Sequence, residues 1–189
     1  MPTPNPALTA LWNDYAEYAA RPTGVLTLDE RRGVAFYLAD RDDAADVEPF
    51  VRRWIRNVHE VDTFRQQHGR LPRADPKRPR PATDEQALVD VLAYFREVGN
   101  ADGYCTYQRR RLEAIPGFAW RPRDARWEKM LHRHQQFWAD NGRAPQRRAL
   151  DADEVSIGRW VAHQRARHRH GTLPADREQQ LRRARYRIL

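Results

Sequence analysis

Apolar residues recur along most of this chain at intervals of three or four positions, which is the spacing of one face of an α-helix. In one such stretch, Trp127, Leu131, His134 and Trp138 fall on a single stripe. Alternation with a period of two residues, which is typical of half-buried strands, is almost absent from the sequence. The pattern therefore predicts an all-α fold.

One helical pattern occurs twice, 73 positions apart, in the stretches 54–72 and 127–145. The aligned pairs are Trp54 and Trp127, Val58 and Leu131, Phe64 and Phe137, Gly69 and Gly142, Arg70 and Arg143, and Pro72 and Pro145. In each copy the Gly is expected to end a helix, and the Pro that follows prevents its continuation. A repeat of this kind indicates an array of small helical units.

Two further helices are expected in the second copy. The first begins after Asp151 or Asp153, because Asp is a favourable N-cap, and it ends at Gly171. The second begins near Pro174, since Pro suits the first turn of a helix. Its inward-facing residues are predicted to be Leu181, Ala184 and Ile188.

The first copy follows the same plan, with helices expected at about 85–98 and 106–115 after a longer connection. Residues 8–40 resemble the second and third helices of a further unit, and Thr27 and Glu30 have the spacing of a capping box. We therefore predict tandem three-helix bundles at 47–122 and 123–189, preceded by an acidic, degenerate half repeat at 1–46.

Charge is distributed unevenly, although the chain as a whole has a net charge of +8 and a pI near 10.2. The net charge is −5 for residues 1–50, +5 for residues 51–122 and +8 for residues 123–189. All but two of the 34 basic residues are Arg, which suits forked contacts with phosphate and stacking on bases. A genome rich in G and C would explain the preference for Arg over Lys, but not the difference between segments. The distribution is typical of a nucleic-acid-binding protein.

A second motif follows in the second copy: residues 157–165 read IGRWVAHQR, and Gly171, Thr172, Leu173 and Leu181 come after it. Together with the repeated Trp, Phe, Gly and Pro, it resembles the helicase-associated domain, a short helical repeat found in tandem behind bacterial helicase cores and in stand-alone proteins. The first copy keeps the opening block and a closing LEAIPGFAW at 112–120, but has AYFR at 93–96 in place of the second motif. The resemblance implies binding of nucleic acid by a short helical array.

The basic residues of the second copy are the first candidates for contact with nucleic acid. If the third helix runs to Ile188, four residues lie opposite its apolar stripe, where they could neutralise phosphates and stack on bases. These are Arg182, Arg183, Tyr186 and Arg187. On the second helix the candidates are Arg159, Arg165 and Arg169. The alternative is a solvated basic surface without a ligand.

Further candidates lie in the turns and in the first copy. Arg70 and Arg143 occupy matching Gly-Arg-x-Pro turns, where each could bind a phosphate or cap the preceding helix. Lys77, Arg78 and Arg80 lie in a Pro-rich stretch that is either a basic arm along the phosphate backbone or a stiff linker. A last cluster, on the third helix of the first copy, consists of Arg109, Arg110 and Arg111.

No cofactor, metal ion or catalytic group is predicted. The chain has one Cys, no HExxH motif, no Gly-Lys-Ser/Thr phosphate loop and no nucleophile paired with a base. It has no run of roughly 18 apolar residues, so contact with a membrane is not expected. Because Cys105 has no partner for a disulfide, a cytoplasmic location is expected, on the nucleoid if the ligand is DNA.

We therefore expect a non-enzymatic, arginine-rich bacterial protein that binds DNA, most readily double-stranded DNA, in a regulatory or accessory role. Two alternatives remain open at this point. One is an RNA-binding module. The other is an adaptor whose acidic N-terminal segment docks a partner protein.

Overall fold

The computed structural model of the protein describes residues 5–42 and 47–189. Within these ranges the chain forms eight α-helices and one short 3-10 helix and has no strand, which confirms the predicted all-α fold. The helices are α1 (Pro6–Ala19), α2 (Leu28–Asp42), α3 (Pro49–His68), α4 (Asp84–Asn100), α5 (Thr106–Glu113), α6 (Pro122–Asn141), α7 (Ala152–Arg169) and α8 (Ala175–Arg183). The 3-10 helix, Thr23–Val25, connects α1 to α2.

The helices are grouped in two compact units. Unit 1 is Met1–Trp120 and contains α1 to α5, and unit 2 is Arg121–Leu189 and contains α6 to α8. In unit 1, α2 packs against α1, α3 and α5. The predicted segment 1–46, of which residues 1–4 and 43–46 lie outside the described residues, thus contributes its two helices to the same unit as the first copy. Its origin as a half repeat stays a prediction.

The capping residues explain where the helices begin and end. Asp151 accepts a hydrogen bond from the backbone N–H of Glu154, and Thr83 accepts one from that of Gln86, as N-caps do. The capping box between Thr27 and Glu30 is present, with each residue accepting from the backbone N–H of the other. These contacts confirm the predicted starts of α7 and α2.

One glycine ends the first helix of each copy, in the left-handed backbone conformation that glycine adopts at low cost. Gly69 closes α3 with a φ of 67°, and Gly142 closes α6 with a φ of 63°. Both helices are 20 residues long, begin at a Pro, and occupy positions 73 apart. The gap-free alignment of the two sequence stretches is therefore matched in the backbone.

Beyond the connecting loops the two copies stay in register, now 69 positions apart because the loop of the first copy is longer. The backbone N–H of Gly103 donates to the carbonyl of Val98 at 3.0 Å, and that of Thr172 donates to the carbonyl of Arg167 at 2.9 Å. Asp102, with a φ of 55°, takes the left-handed position that Gly171 holds in unit 2. The helices that follow, α5 and α8, begin at equivalent residues.

Each unit has its own apolar core around the first Trp of its repeat. In unit 1, Trp54 is 2% exposed and packs against Phe36, Phe95 and Tyr104. In unit 2, the buried cluster consists of Trp127, Val161, Leu173, Leu181 and Ile188. The indole Nε1 of Trp127 donates to the side chain of Gln164 at 3.1 Å. In unit 1, the position equivalent to Gln164 is occupied by Phe95.

A buried carboxylate ties four helices of unit 1 together. The sequence around Asp40 reads as a solvated acidic turn, but Asp40 lies in α2 and its side chain is fully buried. It accepts hydrogen bonds from Trp12 of α1, His59 of α3, and Tyr107 and Arg111 of α5. These donors, with the Arg111 guanidinium beside them, hold the pKa of Asp40 well below its usual range against the opposing effect of burial.

The third helix of the second copy is shorter than predicted. It ends at Arg183, and Ala184 has extended backbone angles (φ −60°, ψ 135°). The extended chain buries Ile188 completely, and the carbonyl of that residue accepts a hydrogen bond from Arg165 at 2.6 Å. The helical arrangement assumed for Tyr186 and Arg187 is therefore wrong.

Candidate nucleic-acid interface

An open groove lies in unit 2 between the turn that follows Pro145 and the middle of α7. Its volume is about 870 Å³. Four arginines line it, two from the turn and two from the helix: Arg147, Arg148, Arg165 and Arg169. We call this feature the arginine groove. The remaining lining residues are Pro145, Gln146, Gly158, Val161, Ala162 and Ala166.

Gly158 allows the turn to approach α7 closely. A Cβ atom at this position would lie 2.8 Å from the carbonyl carbon and oxygen of Gln146 and 2.9 Å from the backbone nitrogen of Arg147. Because these are backbone atoms, they cannot move aside as a flexible side chain would. The Gly of the second motif therefore sets the position of the turn that carries Arg147 and Arg148.

The four arginines differ in how firmly they are held. The Nε of Arg165 donates to the Ile188 carbonyl at 2.6 Å, and Arg96, its equivalent in unit 1, donates to the Ala119 carbonyl at 2.9 Å. Within the described part of the chain, the side chains of Arg147, Arg148 and Arg169 make no hydrogen bond or ion pair. All three are exposed. Their guanidinium groups are therefore free to bind an anion.

Arg159, Arg182 and Arg183, three of the arginines predicted from the sequence, are exposed on unit 2 but do not line the groove. Arg182 forms an ion pair with Glu178, one turn earlier in α8. Arg159 and Arg183 have no partner among the described residues. Each is accessible to a ligand, but the structure does not bring them into the arginine groove.

Tyr186 and Arg187 lie in the extended segment after α8. The Tyr186 ring stacks on Trp138 with the centroids 5.3 Å apart and the planes at 5°. Arg187 donates to the carbonyl of Leu189 at 2.6 Å. The aromatic ring predicted to stack on a base is thus engaged within unit 2.

Arg70 and Arg143 make the same internal contacts in the two units. Each forms a forked ion pair with a glutamate near the start of the following helix, Glu85 for Arg70 and Glu154 for Arg143. Each also lies over the ring of the preceding Phe, at 5.3 Å from Phe64 and 5.2 Å from Phe137. Each guanidinium joins the turn to the next helix instead of capping the preceding one, and binding of a phosphate stays a prediction.

The two glutamates are held firmly in their charged form. The hydrogen bond from Arg143, and then that from the backbone N–H of Gln146, lower the pKa of Glu154 from 4.5 to about 2. Arg70 and the backbone N–H of Arg73 lower the pKa of Glu85 from 4.5 to about 2 in the same way. The turn of unit 2 is thus attached to α7 at two places. The Glu154 carboxylate binds Arg143 and the backbone N–H of Gln146, and the backbone of Gln146 and Arg147 packs against Gly158.

The arginine cluster of the first copy is mostly used within unit 1. Arg111 is only 2% exposed and pairs with Asp40 and Asp62, so the prediction that it contacts nucleic acid is wrong. Its charge is compensated by Asp40 of α2 and Asp62 of α3. These partners are distant in the sequence, so no local pattern around Arg111 reveals the pairing. Arg109 pairs with Asp102, and Arg110 with Asp14.

The predicted basic arm lies in the loop between α3 and α4. Lys77, Arg78 and Arg80 are exposed. The loop is ordered locally, since the backbone N–H of Lys77 donates to the side chain of Asp75 at 2.8 Å. The structure therefore leaves both interpretations of this stretch, arm and linker, as predictions.

Sequence reasoning missed Arg147 and Arg148, although both follow the repeated Pro and lie beside the second motif. The signal that could have found them is Gly158, since a Gly inside an otherwise regular helix often marks a close backbone approach. The segment that approaches is the turn with the two adjacent arginines.

The two units differ in charge. Unit 2 contains 17 basic and 8 acidic residues, a net charge of +9, whereas unit 1 contains 17 basic and 18 acidic residues, a net charge of −1. Inside unit 2, burial is the main reason that the pKa of His134 falls from 6.5 to about 4. The nearby positive charge of Arg165 lowers this pKa as well. The excess of positive charge thus lies in the unit that contains the arginine groove.

Metal-binding clusters and membrane-spanning helices are both absent from the part of the chain that the structure describes. Residues 5–42 and 47–189 contain no group of three or more His, Cys, Asp or Glu side chains arranged to hold a metal ion. No helix in these ranges has the length and apolar character needed to cross a membrane.

Comparison with known proteins bears on unit 2. No curated protein and no solved structure was found to match the chain. The model of one protein family, the helicase associated domain, matches residues 124–185. This range covers α6 from its third residue, all of α7 and α8, and every residue that lines the arginine groove. The second copy is therefore a match to the helicase associated domain, as its sequence motifs predict.

Proposed function

We propose that this protein binds nucleic acid without catalysing a reaction, and that its ligand is double-stranded DNA. Unit 2 supplies the contact surface. We propose a regulatory or accessory role, and a DNA ligand would place the protein in the bacterial cytoplasm, on the chromosome.

The observation that carries this proposal is the net charge of +9 on unit 2 combined with exposed arginines that no carboxylate neutralises. Neutralising DNA phosphates releases condensed counterions, and this release is the main source of affinity for a basic surface. Unit 1, with a net charge of −1, has no comparable attraction for a polyanion.

A duplex is favoured over single strands because the aromatic rings of unit 2 are engaged with one another. Trp127 packs edge-on against Trp160 at 5.9 Å, and Trp138 stacks on Tyr186 at 5.3 Å. Proteins that bind single strands offer aromatic rings on which successive bases stack. Unit 2 offers guanidinium groups instead, which suit the phosphates of a duplex.

The adaptor alternative receives less support from the acidic N-terminal segment than its charge suggests. Asp40 is buried, Asp14 pairs with Arg110, and Asp29 accepts a hydrogen bond from the backbone N–H of Thr106. Much of the negative charge of α1 and α2 thus contacts α5 within unit 1. These three carboxylates are therefore less available to a partner protein.

Fluorescence anisotropy with four labelled ligands tests the proposal. They are two 20-base-pair duplexes of unrelated sequence, one single strand of 20 nucleotides, and one RNA hairpin. We expect both duplexes to bind more tightly than the single strand and the hairpin. Preference for the hairpin would support the RNA-binding alternative, and failure to bind any of the four would contradict the proposal.

A further inference from the structure

We propose that the arginine groove is the phosphate-binding site of unit 2, that it holds the sugar–phosphate backbone without reading the bases, and that Gly158 is its positioning residue. The proposal rests on the proposed function, because it assigns the nucleic-acid contact to one place. It differs from the sequence-based expectation, which distributes the contact over several helix faces.

The positive charge of the groove is not compensated by any residue that lines it. Four guanidinium groups line the groove, and none of its ten lining residues is acidic. Some arginines elsewhere in unit 2 are paired with carboxylates, as Arg143 is with Glu154 and Arg177 with Asp124, whereas the groove brings four arginines together without one. Like charges that share a groove raise its potential and favour the binding of an anion.

The backbone of the groove is already in place before a ligand arrives. The turn is held to α7 by the Glu154 carboxylate, which accepts from the backbone N–H of Gln146 at 2.9 Å. On the opposite wall, Arg165 is oriented by its hydrogen bond to the Ile188 carbonyl. A ligand therefore meets two fixed walls, and the entropy lost on binding is reduced.

The positions of unit 1 that are equivalent to the groove lack its excess of positive charge. Counting back 73 positions in the turn and 69 in the helix, Asp75 replaces Arg148, Glu97 replaces Ala166 and Asn100 replaces Arg169. Val89 replaces Gly158, so a side chain occupies the place where the turn of unit 2 approaches. The copy without the Gly is also the copy without the cluster of arginines.

The chemistry of the lining indicates which part of the ligand is bound. Guanidinium groups donate forked hydrogen bonds to phosphate oxygens, and the other lining residues are a Pro, a Gln, a Gly, a Val and two Ala. No lining residue is aromatic, so the groove has no ring on which a base could stack, and its guanidinium groups suit the phosphates instead. Contacts with phosphates fix the position of a nucleic acid but carry no sequence information.

Two variants of the full chain with equal charge changes provide the test. The groove variant combines Arg147→Gln, Arg148→Gln and Arg169→Gln, which leaves the orienting contact of Arg165 intact. The control combines Arg159→Gln, Arg182→Gln and Arg183→Gln, which removes the same charge from exposed positions of unit 2 outside the groove. Binding to a 20-base-pair duplex is measured by anisotropy between 50 and 200 mM salt.

For the groove variant we expect the slope of log affinity against log salt to flatten by about three units, roughly one for each lost contact. For the control we expect a change of less than about one unit. Equal losses in the two variants, or a larger loss in the control, would overturn the groove as the site while leaving the proposed function standing. A wild-type protein that does not bind the duplex would instead overturn both.

Gly158→Ala tests the positioning role without changing any charge. The added methyl group pushes the turn from α7, and we expect at least a tenfold lower affinity for the duplex, with both tested sequences affected equally. Circular dichroism and a melting curve establish whether the variant is folded at the assay temperature. Binding is measured at a temperature below the melting midpoint of the variant, and binding like that of the wild type would show that Gly158 does not position the site.

Discussion

The glutamates near the starts of α4 and α7 show how one residue fixes a turn. Glu85 and Glu154 each accept from an arginine of the preceding turn and from a backbone N–H of the same loop. The repeated arginines are visible in the sequence. Their partners are not, because they lie 15 positions after Arg70 but 11 after Arg143.

The low pKa of Glu154 predicts an acid-sensitive contact in unit 2. Its pKa is about 2 in the folded protein against 4.5 for an ordinary glutamate, so the folded state binds fewer protons than the unfolded state between these values. The contribution of Glu154 to stability is complete above about pH 4.5 and is lost as the pH falls toward 2. We expect Glu154→Gln to melt at a lower temperature at pH 7 and to show a smaller further decrease between pH 5 and 2.

Melting curves recorded between pH 7 and 2, together with hydrogen exchange of the α6 and α7 amides, measure this effect. The matched control is Glu128→Gln, which changes an exposed glutamate of α6 that makes no ion pair with the described residues. The control should retain the wild-type pH profile. A Glu154→Gln profile that runs parallel to the wild type would contradict the role of this carboxylate.

The lowered pKa of His134 predicts a second pH dependence of stability, at higher pH than that of Glu154. It is 1% exposed, and burial and the nearby Arg165 lower its pKa from 6.5 to about 4. Because the folded state disfavours the protonated ring, stability is complete above about pH 6.5 and decreases as the pH falls toward 4. The decrease should be on the order of 3 kcal/mol, from about 1.4 kcal/mol for each pKa unit.

Urea unfolding of the wild type, His134→Gln and His132→Gln between pH 7 and 4 measures this effect. The His134→Gln variant should lose the decrease in this range, whereas the exposed His132 of α6 should contribute none of it. If the His134→Gln and wild-type curves decline equally, other groups are responsible.

At the scale of single residues, the sequence did not reveal which charged side chains are buried. Asp40 and Arg111 are 71 positions apart, and each lies in a run of polar residues typical of a solvated surface. Only the packing of α2 against α5 brings them together. Local patterns predict which face of a helix is apolar, but they do not predict a buried ion pair formed between two polar faces.

At the scale of helices, local signals were sufficient for most boundaries. The N-caps Asp151 and Thr83 and the glycines at 69 and 142 determine where helices start and stop, and each acts within a few residues. The end of α8 was predicted incorrectly, because the segment after Arg183 is positioned by the core. Ile188 reaches that core only if the chain is extended, and helical periodicity alone does not contain this constraint.

The two helix-ending glycines predict matched losses of stability in the two units. A Cβ added at Gly69 or Gly142 would meet no atom within 4 Å, so the cost of Ala arises only from the left-handed backbone. That cost is about 1–2 kcal/mol for each substitution. We expect Gly69→Ala to destabilise unit 1 and Gly142→Ala to destabilise unit 2 by this amount, as measured by urea unfolding with unit-resolved hydrogen exchange.

Gly24→Ala is the control for this pair. Gly24 also has open space around it, but it does not have a positive φ. Its substitution should leave the free energy of unfolding nearly unchanged. A loss as large as that of the other two variants would indicate that the helix ends are not the cause.

On the scale of the whole molecule, the separation of charge between the units predicts how binding responds to salt. If unit 2 neutralises about four phosphates, one for each arginine of the groove, the affinity for duplex DNA should fall by roughly 10² between 50 and 200 mM salt. Because unit 1 has a net charge of −1, replacing Lys77, Arg78 and Arg80 by Gln should flatten the salt slope by less than about one unit. Anisotropy titrations at four salt concentrations measure both quantities, and a slope reduced by three units would make the loop a basic arm after all.

The contacts of Asp40 have a consequence for how this array can gain or lose repeats. A recombination event that cut the gene before α3 would remove the carboxylate that faces Arg111, leaving a buried cation with Asp62 as its one remaining partner among the described residues. Loss of one partner of a buried pair is strongly destabilising. The first copy is therefore inherited together with the two helices before it, whereas the second copy, whose core is built from its own residues, is the part that duplication or exchange can transmit as a separate module.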